Sequence, residues 1–299
     1  MSTPILIDCD PGHDDAIALL LALASPEVEL LGVTTVAGNQ TLAKTTANAI
    51  RVLELVGRGD LPVAAGADRP LVREPFVAAY VHGETGLDGP ELPPPRAHPV
   101  EDHAVDFLAE RLGPGVVLVA TGPLTNVALL LERGARPERV VLMGGSIGLG
   151  NVTPAAEFNV WADPEAADRV FRSGLDVTMV GLDVTHKALV GPDRFSDLGR
   201  VGRIVAEWLD FYSVFHRRTY RFEGAPIHDA VALAHVLRPG LLETVERHVA
   251  VDVESELCRG RTVVDLWRRT GNAPNAQVAV DIEADAFVDL LVERVATLQ

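Results

Sequence analysis

Four carboxylates lie within eight residues near the amino terminus, where an apolar stretch meets the start of a helical pattern. Asp8 and Asp10 flank Cys9, and Asp14 and Asp15 follow the turn-forming pair Pro11-Gly12. Alternate residues of a strand share a face, and the turn brings the second pair back, so we expect the four side chains to converge. Converging carboxylates raise one another's pKa unless a cation neutralises them, which predicts either a raised-pKa acid or a metal site.

The chemistry of the donors narrows the choice of metal. A single aspartate at such a position usually caps the helix and complements its dipole, but four converging carboxylates are more than a cap requires. Oxygen donors without a nearby cysteine favour a hard cation, Ca²⁺ or Mg²⁺, over Zn²⁺.

More polar side chains occur just after apolar runs or at helix starts. Each alone is ordinary turn or cap chemistry. Together they would line one rim, because ligands of open α/β sheets bind outside the carboxyl ends of the strands. They are Asn39, Thr121, the loop residues Asn151, Glu157 and Asn159, and the pair His228-Asp229.

The elements that must position these residues alternate between apolar runs of strand length and amphipathic helical stretches. This pattern predicts a single-domain α/β fold over residues 1–299, Rossmann-like, with a mostly parallel central sheet, helices on both faces and long active-site loops at 66–99 and 144–163. Expected strands are Pro4–Asp8, Glu29–Val36, Pro62–Ala65, Val116–Thr121, Arg139–Met143, Asp176–Gly181 and, in the tail, Val249–Val253, Thr262–Leu266 and Val278–Val280. Expected helices are Asp14–Ala24, Thr41–Val56, Asp102–Arg111, Leu124–Glu132, Pro164–Arg172, Gly202–Arg221, one opening near His228, and Ala284–Ala296.

Composition excludes several partner classes. The 299 residues carry a formal charge of −16, so nucleic acid and anionic membrane surfaces are poor partners. Two distant cysteines exclude a disulfide framework and a zinc knuckle. No basic n-region and no apolar run of about 18 residues is present, so we expect a soluble, cytoplasmic protein without a signal peptide or a membrane anchor.

The stretch from Asp8 to Ala16, Asp-Cys-Asp-Pro-Gly-His-Asp-Asp-Ala, resembles the amino-terminal signature of the inosine–uridine preferring nucleoside hydrolases. The resemblance extends in order over nearly the whole chain, and Gly181–Lys187 with the overall spacing is most similar to the pyrimidine-preferring bacterial branch. Its further segments are Val36–Asn39, His82–Gly89, Thr121–Asn126, Met143–Asn151, Ala156–Trp161 and Pro226–Asp229.

This resemblance implies hydrolysis of the N-glycosidic bond of ribonucleosides, uridine and cytidine in particular, to free base and ribose. It implies a Ca²⁺ held by Asp10, Asp15, the backbone carbonyl of Thr121 and Asp229, completed by water and by the ribose 2′- and 3′-hydroxyls. It also implies a homodimer or homotetramer. The residues that fall where the family binds ribose are Asp14, Asn39, Met143, Asn151, Glu157 and Asn159.

The resemblance identifies the residues around the base less directly than those around the ribose. The resemblance places His228 near the base and His82 on a loop that closes over it. His216 and Tyr220 lie four residues apart on one helix face, in a region that contacts the base in the pyrimidine branch, although an ordinary helix surface is an equal interpretation of His216.

Cleavage through an oxocarbenium-like state at C1′ requires an activated water and help for the departing base. We expect Asp10 to act as general base on a Ca²⁺-bound water, with inversion at C1′. We expect His228 to act as general acid, because a histidine pKa near neutrality suits proton donation.

Three alternatives stay open. The first is a purine or broad-specificity nucleoside hydrolase. The second is a non-catalytic protein that uses Ca²⁺ only to bind a nucleoside or a sugar diol. The third, a phosphatase of the haloacid-dehalogenase type, shares Asp8-x-Asp10 but expects Thr or Val at position 12, which is Gly12, and Asp14 and Asp15 would repel a phosphate.

Overall fold

An eight-stranded sheet forms the centre of the computed structural model, which describes residues 2–298. The strands in chain order are β1 (Thr3–Cys9), β2 (Val28–Thr35), β3 (Val63–Ala65), β4 (Val117–Ala120), β5 (Arg139–Met143), β6 (Asp176–Val180), β7 (Leu189–Val190), β8 (Ala225–Pro226), β9 (Leu242–Arg247), β10 (Val249–Val251), β11 (Thr262–Val264) and β12 (Ala276–Ile282). The central sheet has the order β3-β2-β1-β4-β5-β6-β12-β9, and β10-β11 and β7-β8 form two small separate ribbons.

Pairing within the central sheet is parallel except at one edge. β1 pairs in parallel with β2 and β4, and β12 pairs in parallel with β6 but antiparallel with β9. The parallel register carries the ends of β1, β2, β4 and β5 to the same edge, which is where the polar residues of the sequence follow their strands.

Helices cover both faces of the sheet. They are α1 (His13–Ala24), α2 (Leu42–Leu55), α3 (Ala79–His82), α4 (Ala104–Arg111), α5 (Thr125–Glu132), α6 (Phe158–Ala162), α7 (Pro164–Phe171), α8 (Leu182–Thr185), α9 (Gly199–Tyr220), α10 (His228–Leu237) and α11 (Ala284–Val295), with short 3₁₀ turns at Pro192–Arg194 and Pro239–Leu241. The alternation of β1 explains the two layers: Ile5 and Ile7 face a core shared with α1, α9 and α10, whereas Leu6 faces one shared with α4, α5 and α7.

The expected α/β architecture is confirmed, and most boundaries shift by one to three residues. The expected tail strand Val278–Val280 is the middle of the longer β12, which joins the central sheet. Within residues 2–298, no helix combines the length and the apolar character that crossing a membrane requires.

The sequence interpretation missed β9. Its sequence, Leu-Glu-Thr-Val-Glu-Arg, places two glutamates among few apolar residues because it is an edge strand with only Leu242 buried. An edge strand that is mostly half-exposed lacks the apolar run that marks the central strands of a parallel sheet.

Candidate active site

The aspartate segment connects β1 to α1 at the carboxyl edge of the sheet. Asp15, the third residue of α1, accepts hydrogen bonds from the backbone N–H of Gly12 (3.1 Å) and from the hydroxyl of Thr121 (2.8 Å). Asp15 therefore caps its own helix and also connects that helix to the residue after β4. Helix capping, the simpler explanation of a single aspartate, does not exclude a place in the buried acidic cluster.

Asp10 follows the last residue of β1 and is completely buried. Its Oδ2 accepts the backbone N–H of Asn39 at 2.6 Å, whereas its Oδ1 has no hydrogen-bond partner among residues 2–298. Glycines let the backbone approach this carboxylate: a Cβ at Gly38 would lie 2.1 Å from Oδ2, and one at Gly122 would lie 2.8 Å from Oδ1. One carboxylate oxygen is thus fixed and the other is available.

Three carboxylates meet beside Asp10. Oxygen atoms of Asp14, Asp15 and Asp229 all lie within 4.8 Å of one another, and all three residues are buried. No lysine or arginine of the described chain forms an ion pair with any of them, and Asp14 Oδ1 has no hydrogen-bond partner there. Four buried acids without a counter-ion fit a hard divalent cation.

The pKa values of these aspartates reflect the cost of burying several carboxylates close together without a counter-ion. Burial raises the pKa of Asp14 to about 8, and burial with repulsion from neighbouring carboxylates raises the pKa values of Asp10 and Asp229 well above 3.8. The pKa of Asp15 is also raised by burial, against the hydrogen bonds it accepts. A bound cation would remove this penalty by favouring the ionised forms.

The expected ligand set and this cluster overlap without being identical. Asp15 and Asp229 belong to both, whereas the mutual 4.8 Å group includes Asp14 and leaves out Asp10. The hydroxyl of Thr121 bonds Asp15, and its carbonyl accepts the side-chain amide of Asn159 at 2.6 Å.

Asn159 and Glu157 come from the long loop after β5 and the short helix α6 that ends it. The amide of Asn159 donates to the carbonyl oxygens of Thr121 and of Met143 (3.1 Å). Glu157 caps α6 and accepts backbone N–H groups of Gly145 (2.8 Å), Asn159 (2.9 Å) and Val160 (3.1 Å). Burial nevertheless raises the pKa of Glu157 to about 7.

Asn151 and Tyr220 join the long loop to α9. Asn151 Oδ1 accepts the backbone N–H of Phe158 at 2.9 Å, and the Tyr220 hydroxyl donates to the Asn151 carbonyl at 3.3 Å. Asn39, besides its backbone bond to Asp10, donates its amide to Asp15 at 3.1 Å. Asn39 is thus hydrogen-bonded to two of the buried aspartates, whereas Asn151 is fixed by α6 and α9.

Histidine and aromatic rings form the opposite side. His82 ends α3, and its Nδ1 lies 3.1 Å from Nδ1 of His13. His228 opens α10, and its Nδ1 lies 2.7 Å from the hydroxyl of Thr185. His216 is buried, not on an open helix surface, and packs edge-to-face on Tyr212 with ring centroids 4.4 Å apart.

Most of these groups line one cavity at the carboxyl edge of the sheet. Asp10 and Asp15 lie beneath this lining and are not part of it. The predicted site residues that line it are Asp14, Asn39, His82, Thr121, Met143, Asn151, Glu157, Asn159, His216, Tyr220, His228 and Asp229.

Sequence reasoning missed several lining residues, above all Tyr212 and His186. Tyr212 stacks on His13 and His82, with centroids 5.4 and 5.2 Å apart. The sequence contained an indication of Tyr212, because residues 212, 216 and 220 are spaced four apart and share one face of α9. His186 gave no such signal, because it follows a helix of four residues.

Asp8 departs from the expected convergence. Its Oδ1 accepts the Thr34 hydroxyl (2.6 Å) and the Asn126 amide (2.8 Å), and neither partner lines the cavity. Burial raises its pKa to about 6. The hydrogen bonds of Asp8 therefore connect β1 to β2 and α5 and do not reach the residues that line the cavity.

Comparison with known proteins agrees with this geometry. Residues 5–289 match the family model of the inosine-uridine preferring nucleoside hydrolases. Among curated proteins, the chain is 52% identical over 308 residues to the pyrimidine-specific ribonucleoside hydrolase RihA of Klebsiella pneumoniae subsp. pneumoniae, covering 99% of each chain. It is 53% identical over 306 residues to RihA of Salmonella paratyphi C, covering 98% of each.

Solved structures show the same fold. A purine-preferring ribonucleoside hydrolase from Gardnerella vaginalis superimposes with a TM-score of 0.92 at 34% identity, covering 98% of each chain. A plant nucleoside hydrolase superimposes with a TM-score of 0.91 at 32% identity, covering 99% of each.

Proposed function

The chain belongs to the inosine-uridine preferring nucleoside hydrolase family, and from that premise we propose that it is a Ca²⁺-dependent hydrolase that prefers pyrimidine ribonucleosides. It is a ribonucleoside hydrolase, an enzyme that hydrolyses N-glycosidic bonds. The observation that carries the proposal is the cluster of Asp14, Asp15 and Asp229, with oxygens within 4.8 Å of one another beside a cavity lined by polar and aromatic side chains.

We assign the cation to Asp10, Asp15, the Thr121 carbonyl and Asp229, with Asp14 close enough to contribute charge. Ca²⁺ suits this oxygen-only donor set because it accepts many oxygen ligands in flexible geometry. When bound, it supplies positive charge that keeps the carboxylates ionised, and it orients water and the sugar diol.

Asp10 is our candidate general base. Oδ2 is held by the Asn39 N–H, which leaves Oδ1 as the oxygen free to take a proton from the attacking water. As that water forms the new bond to C1′, the C1′–N bond breaks and its electron pair leaves with the base. Attack from the face opposite the base predicts inversion, with α-ribose as the first product.

Asn39, Glu157 and Asn159 supply polar groups for the ribose, together with Asp14, Met143 and Asn151. Their interlocking hydrogen bonds support a preorganised sugar site, in which binding does not have to order the side chains.

The role of His228 needs revision in one respect. Burial, with neighbouring histidines, holds its pKa well below 6.5. A neutral imidazole at pH 7 stores no acidic proton, so the physical reason for a general acid does not hold in this pocket. We propose instead that His228 donates a hydrogen bond to the departing base, which takes up its proton from solvent.

A product assay tests the proposed function. Incubation with uridine, cytidine and inosine, with base and ribose measured separately, is expected to release uracil and cytosine faster than hypoxanthine. The close RihA relatives favour that order, whereas the purine-preferring structural relative makes faster release of hypoxanthine the specific alternative. Saturable binding of uridine without free base would instead support a non-catalytic binding protein.

Homo-oligomerisation stays a prediction that follows from the family resemblance, and a cytoplasmic location stays a prediction from the sequence composition. Light scattering of the purified chain would test the first, since a dimer or a tetramer is expected.

A further inference from the structure

We propose that Thr185 is a positioning residue that fixes the tautomer of His228, so that its Nε2–H is the donor available to the base. The inference rests on the proposed function only for the role of His228 toward the base. Thr185 is the last residue of α8, its side chain is completely buried, and its hydroxyl lies 2.7 Å from Nδ1 of His228.

The direction of this hydrogen bond follows from counting acceptors. Among residues 2–298, the Thr185 hydroxyl makes no other hydrogen bond. The carbonyl of Gly181, which a helical threonine commonly uses, already accepts the N–H groups of Val184 (3.2 Å) and Thr185 (3.1 Å). If Nδ1 donated, the hydroxyl proton would be buried without an acceptor, so the hydroxyl donates and Nδ1 accepts.

The protonation state completes the argument. His228 is buried beside His186 and His216, with ring centroids 5.5 and 6.2 Å away. A ring whose Nδ1 accepts the Thr185 hydroxyl proton has no proton on that nitrogen and is therefore neutral. The neutral ring carries one proton, and because Nδ1 accepts, that proton is on Nε2. Within residues 2–298, the His228 ring makes its one hydrogen bond through Nδ1, and His228 lines the cavity, so the Nε2–H is left for a ligand.

Such a donor acts where charge develops. When the C1′–N bond breaks, its electron pair passes into the pyrimidine, and a carbonyl oxygen of the base gains negative charge. A fixed N–H stabilises that charge without giving up its proton, which stays on His228. The opposite tautomer would present a lone pair to the same oxygen and would repel it.

The first test measures the tautomer directly in protein without ligand. In protein labelled with ¹⁵N-histidine, the His228 resonances, assigned by their loss in His228→Asn, are expected to show a protonated Nε2. Thr185→Val removes the hydroxyl at nearly constant shape, and we expect it to populate the Nδ1–H tautomer, whereas Thr185→Ser should retain Nε2–H. A wild-type protein with Nδ1–H, or a valine variant with an unchanged tautomer, would overturn the proposal.

The second test compares leaving groups. Uridine needs help for its departing base, whereas 4-nitrophenyl riboside releases a stable anion. We expect Thr185→Val to lower kcat on uridine by about 10- to 100-fold with a smaller change in KM, to lower kcat on the nitrophenyl substrate by less than about 3-fold, and to be rescued by Thr185→Ser. Equal losses on both substrates would indicate a merely structural role and contradict the proposal. A wild-type protein that cleaves neither substrate would refute the proposed function, while the spectrum would still decide the tautomer.

Discussion

The two sides of the cavity are held in place by different kinds of contact. The acidic floor, which we define as Asp10, Asp14, Asp15 and Asp229, is gathered from the ends of β1 and the starts of α1 and α10 and is held by hydrogen bonds to backbone and side chains. The aromatic wall, which we define as His82, Tyr212, His216, Tyr220 and His228, comes from helices. Its rings pack on one another face-to-face or edge-to-face, in addition to hydrogen bonds such as that between Thr185 and His228.

This difference suggests that the floor carries out the bond cleavage and that the wall determines which bases are accepted. Directional hydrogen bonds fix the floor where the proposed cation, the attacking water and C1′ would have to be aligned, and small displacements there would be costly. Stacked rings tolerate small shifts, so the wall can accept bases of different shape. Variants of the floor should therefore affect all substrates, and variants of the wall should change their ranking.

The largest effect is expected from Asp10→Asn. The amide cannot take the proton of the attacking water, so we expect kcat to fall by about 10²- to 10⁴-fold on uridine and on inosine alike. Steady-state kinetics with both substrates measures the loss. Asp8→Asn is the matched control, because Asp8 is an equally buried acid two residues away whose partners do not line the cavity, whereas Asn39, the partner of Asp10, does. It should lose less than about tenfold, since it removes no reacting group. A loss confined to one substrate, or a larger loss in the Asp8 variant, would break the distinction between floor and wall.

Cation binding should stabilise the protein by an amount that depends on pH. Because folding raises the pKa of Asp14 from 3.8 to about 8, its contribution to stability is present below pH 3.8 and is lost as pH rises toward 8. A cation restores that loss by binding the ionised form. The increase in Tm on adding Ca²⁺ should therefore be greater at pH 8 than at pH 5, as differential scanning fluorimetry can measure. At saturation near 100 times Kd, the stabilisation should be about 2.7 kcal/mol.

The wall has the opposite pH dependence. Burial lowers the pKa of His216 from 6.5 to about 4, so its contribution to stability is present above pH 6.5 and is lost as pH falls toward 4. His216→Gln removes this titration. We expect the Tm difference between wild type and variant to shrink between pH 7 and pH 5, without a change in the Ca²⁺ effect. An unchanged difference would mean that His216 does not titrate in this way.

The smallest effect on rate is expected from the same His216→Gln variant. It should change the ratio of kcat/KM for uridine to that for inosine by about 3- to 10-fold, while the better of the two substrates retains most of its rate. A parallel loss on both substrates would place His216 with the floor in function.

The floor was the more predictable side. Asp10, Asp14 and Asp15 are neighbours in sequence, and strand alternation with a Pro-Gly turn suffices to bring them together. Asp229 lies more than two hundred residues away, and its position could be expected only from the parallel sheet and the family resemblance. Asp8 was misjudged because strand alternation gives the face of a side chain but not its partners, Thr34 and Asn126.

The wall was less predictable because its contacts are tertiary. The pairing of Thr185 with His228 depends on how α8 and α10 pack, and nothing in either local sequence indicates it. Tyr212 shared the spacing of His216 and Tyr220, but a four-residue repeat does not tell which side of a helix is buried. The strands of the central sheet could be predicted where they are apolar. β9 was missed because its half-exposed residues show no clear alternation of apolar and polar side chains.

The proposal that the acidic floor holds a hard divalent cation can be tested by isothermal titration of the metal-free protein with Ca²⁺. We expect one ion to bind per chain at pH 8, with binding abolished or greatly weakened in Asp229→Asn, whose fold is checked by circular dichroism. Absence of stoichiometric binding to the wild-type chain, or undiminished binding to the folded variant, would contradict it.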